Sequence, residues 1–134
     1  MISVFIDQED EFTVDFYIGK NKEGKLFIKD SEAEIKSINK EIEVEKHYVV
    51  FKRPSFGDIV NIASNFYGNQ DGEFSFNAMN DKLKKTSFLL KRWSFNDKDD
   101  KEIIPNEKQV RALNPLIADY ISDKLVDEIG VIFG

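Results

Sequence analysis

The sequence predicts an α+β fold: a small antiparallel N-terminal β-sheet or hairpin packed against three to four C-terminal helices. Three observations predict it. Apolar residues alternate in the first fifty positions, the apolar period lengthens after Pro54, and helix-capping residues recur from Ser55 onward. One domain is expected over residues 1–134, mainly β over 1–54 and mainly α over 55–134.

Phe12, Val14 and Phe16 alternate with Thr13, Asp15 and Tyr17, the period of a half-buried strand. KNKEGK supplies a turn, and Leu26, Phe27 and Ile28 begin the return strand of a hairpin. After Asp30 and Ser31, the run EAEIKSINKEIEVEK mixes two periods. Ile35 and Ile38 stand at helical spacing, while Ile42 and Val44 alternate with glutamates. It reads as a loop or irregular turn to about Asn39, then as a strand from Glu41 to Lys52. Within that strand HYVVFK is apolar on both sides and is expected to be the most buried part; Pro54 ends it.

Ser55 and Asp58 form the pattern of a capping box, with Asp in place of Glu. Ile59, Ile62, Ala63 and Phe66 follow at helical spacing, and Gly68 with GNQDG closes the segment. Ser75 is the expected N-cap of a longer helix that ends near Trp93. Its Phe76, Met79, Leu83, Ser87 and Leu90 share one face, which Phe88, Leu89 and Trp93 widen. Asn106, followed by Gln109, caps a short helix through Leu113. Asn114 caps a last one with Pro115 at its first position. Leu116, Ile117, Tyr120, Ile121, Leu125 and Ile129 give that helix a broad apolar stripe, and Gly130 stops it.

The composition, 41% apolar with twelve Phe, is too hydrophobic for a disordered tail. The absence of cysteine excludes disulfides, thiolate zinc sites and cysteine nucleophiles, and fits a cytosolic setting. MISVFIDQEDEF lacks the basic and apolar regions of a signal peptide, and no window approaches ~20 consecutive apolar residues. A soluble, intracellular protein is expected. The net charge of −6 is uneven: residues 1–50 carry twelve acids and seven bases, 51–96 four acids and seven bases, and 97–134 nine acids and five bases. A basic middle between acidic ends suits self-association or a protein partner of opposite pattern. It opposes broad nucleic-acid affinity, because both ends repel phosphate.

Candidate chemistry is sparse. His47, the one histidine, has only Glu45 on its own strand face and is expected to be structural. No carboxylate pair borders an apolar cleft motif, and GxSxG, HExxH, GxxxxGKS and GxGxxG are absent, so an enzyme is not expected. Asn96–Glu102, NDKDDKE, suggests a cation loop. Counted from Asp97, however, an EF-hand would need a ligand, a glycine and a glutamate where Lys101, Glu102 and Lys108 stand, so a solvated hairpin or loop is the better reading. Lys82, Lys84, Lys85, Lys91 and Arg92 with Phe88 and Trp93 suggest a nucleic-acid patch. The ordinary reading is a solvated face opposite a core face, with Trp93 a core anchor.

The order of a helix ending in FLLKRW, a charged turn closed by IIP, a short helix with Val110 and Leu113, and then Pro115 and a final helix resembles the tail assembly chaperones of long-tailed bacteriophages. FKRPSFGDI upstream adds to the resemblance, which covers Val49 to Ile129; the first fifty residues match nothing in it. The resemblance implies a non-enzymatic protein in the host cell cytoplasm that binds tape measure and tail tube proteins during tail morphogenesis. It implies no catalytic, cofactor-binding or metal site. The rival expectation is a small structural protein retained in the virion, in the tail, neck or baseplate. The family transfers no functional residues by position. From exposed apolar or basic character alone, the expected partner-binding residues are Lys82, Lys85, Phe88, Lys91, Arg92 and Tyr120.

Overall fold

A computed structural model of the chain describes residues 2–67 and 78–130. In chain order the elements are β1 (Glu11–Lys20), β2 (Leu26–Lys29), α1 (Glu32–Lys36), β3 (Glu43–Lys52), α2 (Phe56–Tyr67), α3 (Ala78–Leu89), β4 (Leu90–Trp93), α4 (Glu107–Arg111) and α5 (Pro115–Ile129). The strands form one antiparallel sheet in the order β2-β1-β3-β4. The α+β class stands, with the sheet built mainly from the N-terminal half.

The alternation in β1 sets which face is covered. Phe12 pairs with Phe51, Val14 with Val49 and Phe16 with His47, so these side chains share one face. Helices close over it, and Phe12, Phe16, Val49, Phe51, Ile62, Leu89, Trp93, Val110, Ile121 and Leu125 form a single buried cluster. Within β3 the VVF of HYVVFK is its most buried part, as its composition suggested. The opposite face carries Gly19, where a Cβ would stand 2.6 Å from Ile35 Cγ2 and 2.7 Å from Ile42 Cγ2. The two isoleucines are fully buried there, outside the main cluster. A side chain is missing from β1 so that α1 and the start of β3 can lie against it.

The caps behave as their residue types require. Ser55 N donates to Asp58 Oδ2 at 3.0 Å and Asp58 N to Ser55 Oγ at 3.1 Å, a reciprocal capping box. Asn106 accepts from Gln109 N at 2.8 Å, and Asn114 from Leu116 N at 2.9 Å with Pro115 next in line. Gly130, at φ 79°, ends α5.

Three expectations need correction. The irregular stretch before Asn39 contains α1, whose Ser31 cap accepts from Glu34 N at 3.2 Å; β3 then begins at Glu43 rather than Glu41. The long helix does not reach Trp93: α3 stops at Leu89, and Leu90–Trp93 is an outer strand on β3. The register shifts between Val50 and Phe51, which lets Leu90 and Trp93 both face inward with two exposed basic residues between them. Third, Met79 and Leu116, expected on core faces, are 71% and 55% exposed. The expected roles of Gly68, Ser75, Phe76 and the Phe66 side chain lie outside the described residues.

Candidate functional site

Helices α3, α4 and α5 do not close completely on one another. Between them lies a groove of about 330 Å³ whose apolar lining includes Leu83, Val110, Leu113, Pro115 and Ala118, with Lys82, Arg111 and Asp119 at its rim. Its walls are held firmly. Ser122 also lines the groove, and its hydroxyl lies 2.8 Å from that of buried Thr86, which joins α5 to α3. Lys84 is paired with Glu107, which joins α3 to α4. Such a site, apolar inside with a few polar groups at its edge, suits an apolar segment of a partner. A second hollow of about 230 Å³ lies beside the β1–β2 turn near Phe27 and Ile38; the Lys22–Glu41 ion pair, at 3.1 Å, belongs to its lining.

The six expected partner-binding residues do not form one surface. Lys82 is at the groove, where its Nζ donates to Asp119 at 2.7 Å and Asp123 at 3.4 Å. The Asp119 hydrogen bond holds its ammonium above the usual lysine range. Lys85 is buried, paired with Asp81 one turn earlier at 2.8 Å, and does not belong to an exposed basic face. Phe88 is 43% exposed on α3. Lys91 and Arg92 sit on β4, and both reach Glu11 of β1, at 3.3 and 2.5 Å. The Arg92 hydrogen bond keeps the Glu11 carboxyl below its ordinary range.

Tyr120 turns toward the sheet. Its ring lies 5.5 Å from that of Phe16 and its hydroxyl donates to Asp30, which also binds Lys124 at 3.0 Å. Burial, then the Asp30 hydrogen bond, pushes the Tyr120 phenol well above its ordinary value. The groove was not readable from the sequence, where Val110 and Leu113 belong to a short capped helix, Pro115 is the first position of the next and Ala118 lies outside its apolar stripe.

His47 has a partner that sequence spacing could not supply. Its Nδ1 lies 2.8 Å from Ser94 Oγ and its Nε2 3.1 Å from Glu45 Oε1. The order Ser–His–Glu has the outline of a nucleophile relay, but the Ser94 oxygen also accepts the Tyr48 backbone N–H at 2.9 Å. The hydroxyl extends the β3–β4 ladder past Trp93, and neither hollow borders it. This is a clasp on the sheet end, reinforced by Phe95 and Phe16 at 5.1 and 6.2 Å from the imidazole.

The Asn96–Glu102 stretch is a tight turn bridged between its ends. Asp97 spends its carboxylate on its own backbone, accepting from Asp99 N at 2.8 Å and Lys101 N at 3.0 Å, while Asp100 takes φ 59°. Among the described residues no group of three or more acidic or histidine side chains is placed to hold a metal ion, and no helix is long and apolar enough to cross a membrane. Compared with protein-family models, curated proteins and solved structures, the chain matches none.

Proposed function

We propose that the chain is a non-enzymatic binding protein whose groove between α3, α4 and α5 receives an apolar segment of a partner. More specifically, we propose a tail assembly chaperone that engages tape measure and tail tube proteins in the host cytoplasm. The observation that carries the first reading is the groove itself, apolar in lining and flanked by exposed Met79 and Leu116. The second rests on the resemblance of residues 49–129, within which every groove-lining residue falls. The chain departs from the pattern in its first fifty residues and at Trp93, which ends a strand and not a helix.

The test is a tagged pull-down from the infected cell or lysogen with wild type and Ala118→Glu, compared with the protein content of purified particles. Recovery of tape measure or tube protein by wild type, its loss in Ala118→Glu, and absence of the chain from particles are expected. Stoichiometric presence in particles overturns the chaperone reading. The rival, a small structural protein retained in the virion, is favoured by the sheet, which among the described residues ends on β2 and β4, either of which suits strand addition by a neighbour.

A further inference from the structure

We propose that the Ile2–Ile6 segment of one copy of the chain fills the groove between α3, α4 and α5 of a second copy. The proposal rests on the reading of that groove as a binding surface and names its occupant.

The segment ISVFI carries four large apolar side chains in five residues and no charged one. Ile2, Val4 and Phe5 are 81–90% exposed and Ile6 43%. Apolar exposure this dense marks a contact surface rather than ordinary surface scatter. The segment is also aimed. Directly after it, Asp7 and Asp10 close a turn: Asp10 N donates to Asp7 O at 3.1 Å, Asp7 N to Asp10 Oδ2 at 2.8 Å, and Glu9 N to Asp7 Oδ1 at 2.9 Å. The turn is fastened to the sheet by Arg53 N, which donates to Asp10 O at 2.9 Å. The segment therefore leaves the fold from a fixed point, with its side chains in solvent instead of on their own core.

The groove offers what the segment lacks, an apolar lining open to solvent. Charge gives the contact a direction. Asp7, Glu9 and Asp10 follow the segment, while α4 places exposed Arg111 at one wall of the groove and carries exposed Lys108 three residues earlier. Among the described residues the ion pair of Arg111 is with Glu107, at 3.7 Å, and its guanidinium has further N–H groups to offer a carboxylate. The acidic turn lies at α4 and the apolar side chains run inward toward Ala118 of α5. One chain thus carries both halves of a heterologous contact.

Because the chain has no cysteine, Val4→Cys and Ala118→Cys each introduce a single thiol. The two purified variants are mixed with oxidised glutathione, and the disulfide products are resolved by mass. The Val4→Cys/Ala118→Cys heterodimer is expected to dominate over like-with-like dimers. In sedimentation, wild type is expected to self-associate with rising concentration, and Phe5→Asp to weaken that association about tenfold or more with an unchanged circular dichroism spectrum.

No preference for the mixed disulfide overturns the proposal, as does a wild type that stays monomeric or a Phe5→Asp variant that associates as wild type does. Closure of both cysteines within one chain at high dilution, in the double variant, overturns it by placing the segment in its own groove. Purified protein suffices for all of this, so a failed pull-down would leave the self-association result standing and would count against the chaperone reading alone.

Discussion

The two faces of the sheet are built by opposite means. On one, Phe12, Phe16, Val49 and Phe51 project large side chains that four helices enclose. On the other, one five-residue helix lies against the β1 position that has no side chain at all, and Ile35 and Ile42 fill the space above Gly19. The first face is made by adding volume and the second by removing it. A short helix gains too little from its own hydrogen bonds to persist alone. What α1 needs is close approach to a flat backbone, and Gly19 provides it.

The difference is tested first by emptying the large core. Phe16→Ala, at a fully buried position, is expected to cost about 3–5 kcal/mol in urea denaturation followed by circular dichroism. A loss below 1 kcal/mol would mean that the two faces are not distinct in kind. Filling the small one comes next. Gly19→Val places carbon within contact of two stiff, β-branched isoleucines and is expected to cost about 1–3 kcal/mol, although it adds apolar area. An unchanged or higher stability would show that α1 lies loosely.

Ser31→Ala removes the cap of α1 and is expected to cost about 1 kcal/mol, with hydrogen exchange rising in residues 32–37 ahead of the sheet. Exchange that rises equally everywhere would make α1 part of the main cooperative unit.

The smallest effect concerns the tie between the faces, where Tyr120 of α5 and Asp30 at the foot of α1 share a hydrogen bond. The folded phenol titrates above its ordinary value of 10.0, so its contribution is complete below pH 10 and is lost as pH rises through the folded value. Asp30 titrates below its ordinary 3.8, chiefly through the Tyr120 hydrogen bond, so its contribution is complete above that value and is lost on acidification beneath it. Tyr120→Phe is expected to flatten both limbs of the stability–pH curve. Limbs that keep their wild-type slopes would assign them to other groups.

Much of this architecture was legible in the sequence, because local chemistry decided it. Alternation in β1, the Ser55–Asp58 box and the two asparagine caps each act within four residues and were readable as such. What escaped reading was decided at long range. FLLKRW fits a helix as well as a strand, and only pairing of Leu90–Trp93 with β3 selects the strand. α1 is too short for periodicity to declare it, and its reason lies at Gly19, sixteen residues before Ile35. The groove was hidden for a third cause. Leu113 and Ala118 obey the same pattern whether the neighbouring helix touches them or stands off, so sequence separates apolar from polar there but not covered from open. Lys82, a basic residue of α3, lines the same groove.

Trp93 gives the molecule an optical reporter without engineering. It is the chain's single tryptophan, nearly enclosed, with its indole N–H donating to the Ile103 carbonyl at 2.6 Å. Its emission therefore comes from one environment and is sensitive to two distinct events. Release of the Ile103 segment alone would free the indole hydrogen bond and leave the ring among apolar neighbours, whereas loss of β4 would bring the ring into water. A spectrum that shifts in two steps on denaturation would resolve the departure of the connector from the opening of the core.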